Sequence, residues 1–153
     1  MRKLNLPAYD FRYRTDGGEL KVLDVFRKRF VKLTPEEEVR QRFARYLVEE
    51  KGYPASLIMT EYSLKVNKLT RRCDILVHKP AGFPALLVEC KAPEVAISQA
   101  SFDQVARYNL AFRVSYLIVS NGLKHYCCRV DFETGKITFL SEIPCYGELS
   151  PGP

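Results

Sequence analysis

The sequence predicts an α/β domain in which a mixed β-sheet is flanked by helices and preceded by an N-terminal hairpin. Short apolar runs such as Ile75-Leu76-Val77 and Leu86-Leu87-Val88 are typical of strands buried on both faces of a sheet. Two longer segments carry apolar residues at helical spacing, and the second lies between two such strands. A helix that joins two buried strands favours a crossover connection, and therefore a mixed sheet. The length of 153 residues suits one domain.

Residues 1–30 are predicted to form a hairpin extension, because two alternating segments flank the turn sequence Asp16-Gly17-Gly18. The main domain is expected at residues 31–146. Residues 147–153 have little to pack against, so we expect a flexible tail there.

The first helix is predicted to begin at Pro35, because Thr34 can cap it and acidic residues follow where the helix dipole favours them. Gly52 is expected to end it. The second helix is expected at residues 97–112. In the main domain, three strands are expected before the second helix, at residues 58–66, 72–78 and 85–91. Two or three are expected after it, within residues 115–120, 124–130 and 137–140.

The net charge of +6 favours an anionic partner, of which nucleic acid is the commonest, although a solvated basic surface would have the same charge. The five cysteines form no C-x-x-C pair, and Cys127 and Cys128 should point to opposite faces of a strand. We therefore expect reduced, mostly buried thiols in a cytoplasmic protein. The sequence has no signal peptide and no apolar run long enough to span a membrane.

Three charged residues on predicted central strands indicate a functional site. Asp74 lies within one apolar strand, and Glu89 and Lys91 lie at the end of the next. Ionised groups in such places are costly unless they are satisfied. Strand alternation places Glu89 and Lys91 on one face with Cys90 on the other, and hairpin pairing brings Asp74 near Glu89. Two neighbouring carboxylates suit Mg²⁺, and Lys91 could then orient or deprotonate a bound water.

The alternative interpretation of these residues is a buried ion pair between Lys91 and one of the acids. One lysine neutralises only one of the two carboxylates, however. A divalent cation balances the remaining charge, so the metal site is the favoured interpretation.

The order of Asp74 and then Glu89-Cys90-Lys91 after a hairpin resembles the PD-(D/E)XK nuclease superfamily, although Cys73 stands where that motif has proline. More of the chain resembles the N-terminal domain of type I restriction enzyme R subunits, and implies a restriction-endonuclease-like fold. The matching pieces include Leu33-Thr34-Pro35-Glu36-Glu37, Gly52-Tyr53-Pro54, Asp74-Ile75-Leu76-Val77, Leu87-Val88-Glu89-Cys90-Lys91-Ala92-Pro93, Phe102-Asp103-Gln104 and Ser120-Asn121-Gly122.

The resemblance implies that Asp74, Glu89 and the backbone carbonyl of Cys90 hold Mg²⁺, with Mn²⁺ as a substitute. Lys91 would position the attacking water. An acid on the first helix completes the site in many members. Here it is Glu36 or Glu37, and we favour Glu36 because it lies nearer the apolar face of the helix. Either acid could instead only complement the helix dipole.

Gln104 and Tyr108 match a Q-x-x-x-Y element found in a subset of these nucleases. Residues four apart on a helix share one face, so both could reach the same site. Without the resemblance, a polar edge on a packed helix would be the simpler interpretation.

The expected function is Mg²⁺-dependent endonucleolytic cleavage of DNA, in the context of restriction-modification. The alternative is a non-catalytic module that binds nucleic acid or docks a restriction complex. Expected partners are DNA and separate restriction-complex or motor subunits, since these residues contain no G-x-x-x-x-G-K-[ST] phosphate loop; a homodimer is left open. The candidate phosphate contacts are Arg27, Lys28, Arg29, Arg71, Arg72 and Lys124.

Overall fold

The computed structural model describes residues 3–149, except for the side chains of residues 64, 66, 71 and 108–111. Within these residues, nine strands form two sheets, and two segments form α-helices. The strands are β1 (Tyr13–Asp16), β2 (Glu19–Asp24), β3 (Arg29–Lys32), β4 (Ile58–Val66), β5 (Leu69–His78), β6 (Pro84–Cys90), β7 (Tyr116–Ser120), β8 (His125–Val130) and β9 (Ile137–Leu140), and the helices are α1 (Pro35–Lys51) and α2 (Gln99–Phe112).

The main sheet contains six strands in sequential order from β4 to β9. Strands β6 and β7 are parallel and are joined by α2, whereas the other neighbours are antiparallel. One layer of the core packs on the α1 side of the sheet and the other on the α2 side. The predicted mixed sheet with a helical crossover is confirmed.

Helix α1 begins and ends where the local sequence indicates. The Thr34 hydroxyl accepts a hydrogen bond from the Glu37 amide at 3.0 Å, which satisfies one of the unpaired donors of the first turn. Gly52 takes the left-handed conformation, with φ of 72°, that ends the helix. Within residues 3–149, no helix combines the length and the apolar composition that a membrane span requires.

The buried face of α1 should make a large contribution to stability, and Phe43 lies at its centre with none of its surface exposed. Phe43→Ala should lower the free energy of unfolding by about 3–5 kcal/mol, because it removes apolar contacts and leaves a cavity. The half-exposed Phe139 provides the control, for which we expect about 1 kcal/mol or less. Urea denaturation of both variants measures the difference, and equal losses would contradict this packing.

The N-terminal extension contains three strands instead of the two of the predicted hairpin. The chain turns back after β2, where Lys28 adopts a φ of 58°, and β3 then pairs with β2. Leu4 and Leu6, which precede the sheet, pack into the α1-side core, so the extension and the main domain share a core.

The C-terminal residues are packed further than the predicted domain end at residue 146. A 3-10 helix spans Tyr146–Glu148, and the Leu149 side chain is buried in the α1-side core. The local sequence does not indicate that the apolar side chain of Leu149 is buried in this core. The rest of the predicted tail, residues 150–153, lies outside the described residues.

All five cysteines are free thiols, and four of them are buried. Cys127 packs in the α1-side core and Cys128 in the α2-side core, which confirms that the two adjacent side chains point to opposite faces.

Candidate active site

The candidate site lies where β5 and β6 stop pairing. The ladder between them ends at the pair Ile75–Val88, and this register places Asp74 across from Glu89. Side-chain alternation along β5 also breaks here, since Ile75 packs on the α1 side while Cys73 packs on the α2 side. The neighbouring strand β4 has a matching irregularity at Glu61, whose φ is 51°. Strands β5 and β6 therefore separate at Asp74, which leaves a gap between these two strands.

The Asp74 carboxylate fills this gap and takes the place of backbone pairing. Its Oδ2 accepts a hydrogen bond from the Cys90 amide at 2.7 Å. The next amide, that of Lys91, donates to the Ser120 carbonyl in the opposite direction at 2.8 Å. Because backbone groups of successive residues in a strand face opposite neighbours, the Cys90 carbonyl also points to the β5 side. The two acids and this carbonyl thus converge on one gap.

Glu89 and Lys91 lie together at the end of β6. The Lys91 ammonium is 3.7 Å from Glu89 Oε1, and both side chains are largely buried. Burial, and then the nearby Asp74 carboxylate, raise the pKa of Glu89 to about 8, despite the opposing effect of Lys91. A carboxyl group so crowded by negative charge would be stabilised in its ionised form by a bound cation.

Of the two acids considered on α1, Glu36 interacts electrostatically with Asp74 and Lys91 at this gap. Burial and the negative charge of Asp74 raise the pKa of Glu36, and Arg40 and Lys91 oppose the shift. Glu37 is instead occupied by structural contacts, because it accepts hydrogen bonds from Arg27, Arg40 and Gln41. The catalytic role of either acid, and the preference for Glu36, stay predictions.

Arg40 is one of two residues at the site that the sequence interpretation missed. Its buried guanidinium contacts Asp74 Oδ1 at 2.5 Å, Glu37 Oε1 at 2.5 Å and Glu61 Oε1 at 2.9 Å. Although burial lowers the pKa of Arg40, the Asp74 and Glu37 carboxylates raise it above its ordinary value. Helical spacing could have suggested Arg40, because it lies four residues after Glu36 on the same helix face.

Glu61 was also missed, and it links the site to the surface. It pairs with Arg40 and with Arg72, whose Nη2 atom is 2.6 Å from Glu61 Oε2. The ion pairs with Arg72 and Arg40 lower the pKa of Glu61 although burial opposes this. In the sequence, Glu61 is one polar residue of an alternating strand, and only the adjacency of β4 and β5 shows its partners.

The donor set of the gap fits a hard divalent cation. In the described part of the chain, no three His, Cys, Asp or Glu side chains converge as a metal site. The ligands would be Asp74, Glu89 and the Cys90 carbonyl, with waters completing the shell, as Mg²⁺ prefers. Arg40 and the Cys90 amide donate to different oxygens of Asp74, and a carboxylate oxygen can accept more than one such contact.

The two predicted residues on α2 are not joined to this site by any described contact. Gln104 is exposed on the helix, and no hydrogen bond or ion pair among the described residues connects it to Asp74, Glu89 or Lys91. The side chain of Tyr108 lies outside the described residues. Their roles stay predictions.

Arg27, predicted to contact DNA, lies inside an ion-pair network. Its guanidinium donates to Asp24 and to both carboxylate oxygens of Glu37, and only 14% of its side chain is exposed. These contacts leave little of the group for a phosphate.

The other predicted phosphate contacts differ in exposure. Lys28, Arg29 and Lys124 are exposed, and Arg72 is 68% exposed although it pairs with Glu61. The side chain of Arg71 lies outside the described residues. Contacts between these residues and DNA stay a prediction.

A groove of about 860 Å³ lies apart from the carboxylates, lined by residues that include Phe83, Arg113, Arg129 and Lys136. It lies near Pro84, at the start of β6, whereas the carboxylates lie at the end of that strand. The candidate site is therefore defined by its charges and hydrogen bonds and not by this groove.

Comparison with known proteins agrees with the fold and with the resemblance. The sequence profile of the type I restriction enzyme R protein N terminus (HSDR_N) matches residues 35–144. A solved structure from Vibrio vulnificus YJ016, a fragment assigned as an HsdR subunit of a type I restriction enzyme, is 22% identical with a TM-score of 0.55. That match covers 76% of this chain and 24% of the other, and it supports the restriction-endonuclease-like fold. No curated protein matches the sequence significantly. The profile covers α1 and both strands that flank the gap, and the chain belongs to the type I restriction enzyme R protein N-terminal family.

Proposed function

We propose that this domain is a divalent-metal-dependent DNA endonuclease, in which Asp74, Glu89 and the Cys90 carbonyl bind Mg²⁺ or Mn²⁺. The observation that carries the proposal is the convergence of Asp74, Glu89 and Lys91 at the gap between β5 and β6, with a raised pKa at Glu89. Perturbed carboxyl groups next to a lysine are typical of catalytic sites. When bound, the cation would polarise the scissile phosphate and lower the pKa of a water.

Lys91 is the proposed water-positioning residue. Its ammonium lies beside Glu89 and within the field of Glu36, so it can donate hydrogen bonds at the metal-binding gap. There it would align a water for in-line attack and stabilise negative charge that develops on the phosphate. Exposed Lys28, Arg29, Arg72 and Lys124 would hold the DNA backbone, an affinity that should fall steeply with salt.

The family context supports DNA as the substrate and a restriction complex as the setting. The match covers only 24% of the length of the HsdR chain that this chain resembles. We propose that separate restriction-complex or motor subunits act with it.

A non-catalytic module is the second candidate, because Arg40 already satisfies part of the negative charge. Its 2.5 Å contact with Asp74 neutralises one of the carboxylates without a metal. This module would bind nucleic acid or dock a restriction complex on a nuclease fold. Calorimetry with Mn²⁺ separates the candidates, because only the nuclease requires a metal site.

The experiment that tests the nuclease compares supercoiled, linear duplex and single-stranded DNA in Mg²⁺, Mn²⁺ or EDTA. Lys91→Met should lower the cleavage rate by about 10²-fold or more, because the group that positions the water is lost. Its Mn²⁺ affinity should not weaken, since Lys91 is not a ligand. The exposed Lys65 provides a matched control, and Lys65→Met should cleave as the unmodified protein does.

Two results would reject the nuclease. One is that no DNA form is cut with either metal, and the other is that Lys91→Met cuts as fast as the unmodified protein. In the first case, DNA binding with no Mn²⁺ binding would support the module.

A further inference from the structure

A chain of buried ion pairs connects the N-terminal sheet to Asp74. Its first link is Asp24 at the end of β2, which is fully buried and accepts hydrogen bonds from Arg27 at 2.5 Å and Thr60 at 2.8 Å. Although burial raises the pKa of Asp24, these hydrogen bonds hold it below its ordinary value. Asp24 therefore stays ionised and anchors the Arg27 side chain.

The second link joins the N-terminal sheet to α1. Arg27 Nη2 donates to both oxygens of Glu37, at 2.9 and 3.0 Å, while its Nε atom remains on Asp24. One planar guanidinium thus bridges two carboxylates on different elements, a geometry that the single ammonium of a lysine cannot reproduce.

The third link reaches the candidate metal ligand. Glu37 contacts Arg40 Nη1 at 2.5 Å, and Arg40 Nη2 contacts Asp74 Oδ1 at 2.5 Å. Asp74 also accepts a hydrogen bond from the Cys90 amide, and the Glu89 carboxyl lies within hydrogen-bonding reach of it. Arg40 is the cationic partner of this carboxylate, so the orientation of Asp74 depends in part on where Arg40 is held.

The first part of this chain of ion pairs lies outside the family match, which begins at residue 35. Asp24 and Arg27 lie before it, in a segment that the profile does not include. Burying charged side chains carries a desolvation cost, and the loss of any one partner would leave another charge buried and unpaired, which would destabilise the fold.

We propose that the N-terminal sheet is a positioning element for the candidate site, in which Arg27 holds Glu37, Glu37 holds Arg40, and Arg40 orients the Asp74 carboxylate. The functional part of this inference rests on the proposed metal site, whereas the positioning itself does not. Groups that orient metal ligands commonly change metal affinity by about 10–100-fold when they are removed.

The amide of Cys90 gives a readout of the Asp74 position that needs neither metal nor activity. Hydrogen exchange measured by NMR compares it with the amide of Lys91, which bonds to Ser120 instead. Arg27→Gln should accelerate exchange at Cys90 at least about 10-fold relative to Lys91. The exposed Arg29, also in the N-terminal sheet, is the matched control, and Arg29→Gln should change neither amide.

A second variant, Arg27→Lys, distinguishes the loss of the bridging geometry from the loss of charge, and it controls for unfolding caused by Arg27→Gln. Arg27→Lys keeps the positive charge but cannot bridge Asp24 and Glu37, so it should also expose the Cys90 amide selectively. If neither Arg27 variant changes Cys90, or if both amides accelerate equally, the positioning proposal is overturned.

Mn²⁺ affinity distinguishes a positioning role of Arg27 from a purely electrostatic one, because the two roles predict changes of opposite sign. Removing a positive charge should tighten cation binding if Arg27 acts only as a remote charge. The positioning role predicts that Arg27→Gln weakens Mn²⁺ binding about 10-fold, and that adding Glu37→Gln weakens it no further. Unchanged or tighter binding would overturn the functional part. If the unmodified protein binds no Mn²⁺ while Cys90 still responds selectively, the positioning is upheld and the nuclease proposal alone fails.

Discussion

Asp74→Asn should abolish measurable Mn²⁺ binding and lower DNA cleavage by at least about 10²–10³-fold. The substitution keeps the size of the side chain and an oxygen that can accept the hydrogen bond from the Cys90 amide. It removes the negative charge that a cation would share with Glu89. The chemistry of the site should therefore be lost while its backbone geometry is retained.

The stability of this variant should change little, because two effects oppose each other. Arg40 loses one carboxylate partner but keeps Glu37 and Glu61. At the same time Glu89 loses the neighbouring charge that raises its pKa. We expect a change in the free energy of unfolding within about 2 kcal/mol, so that loss of activity cannot be attributed to unfolding.

The assay should include Asp103→Asn, which removes an exposed carboxylate from α2. That control should cleave DNA and bind Mn²⁺ as the unmodified protein does. Full activity of Asp74→Asn would be incompatible with a catalytic role for the gap between β5 and β6, and would favour the non-catalytic module.

Elements with local signals were predicted well from the sequence. Helix α1 begins after Thr34 and ends before Gly52 because capping and left-handed backbone preferences act within a few residues. The central strands were predicted because a run of three apolar residues is typical of a strand that is buried on both faces. Lys28 shows the limit, since a non-glycine residue with positive φ gives little sequence signal and the third strand was missed.

The candidate site was predicted only in part, because its charges are balanced over long sequence separations. Hairpin pairing predicted that Asp74 lies near Glu89, but the local separation of β5 and β6 depends on the whole sheet and has no signal in the sequence. Arg40 meets Asp74 across 34 residues of sequence. Arg27 was interpreted as a phosphate contact because a basic cluster resembles a binding surface, whereas its carboxylate partners become evident only when α1 packs beside β2.

Glu89 illustrates how a functional arrangement can oppose stability. Its ordinary pKa of 4.5 is raised to about 8 in the folded protein, chiefly by burial and then by Asp74. Between these values the folded state holds a proton that the unfolded state has released. Stability should therefore fall as pH rises from about 4.5 to 8, and remain at the lower level above pH 8.

Glu89→Gln should consequently stabilise the protein in EDTA at alkaline pH. We expect a gain of about 1–3 kcal/mol at pH 8.5, because glutamine imposes no charge on the crowded gap, and little difference near pH 4.5, where Glu89 is protonated in the folded state. Urea denaturation across this range measures the effect. The exposed Glu133 is the control, and Glu133→Gln should follow the unmodified protein at every pH.

Mn²⁺ should reverse the order of stability. A cation that binds the folded state at 100 times its dissociation constant adds about 2.7 kcal/mol, and only the protein with Glu89 should gain it. Such a reversal would identify the crowded carboxylates as a cation site whose cost in the free protein is offset on binding. If Glu89→Gln is instead less stable than the unmodified protein at pH 8.5 in EDTA, the ion pair with Lys91 outweighs the repulsion from Asp74, and the argument for a metal at this gap loses its electrostatic basis.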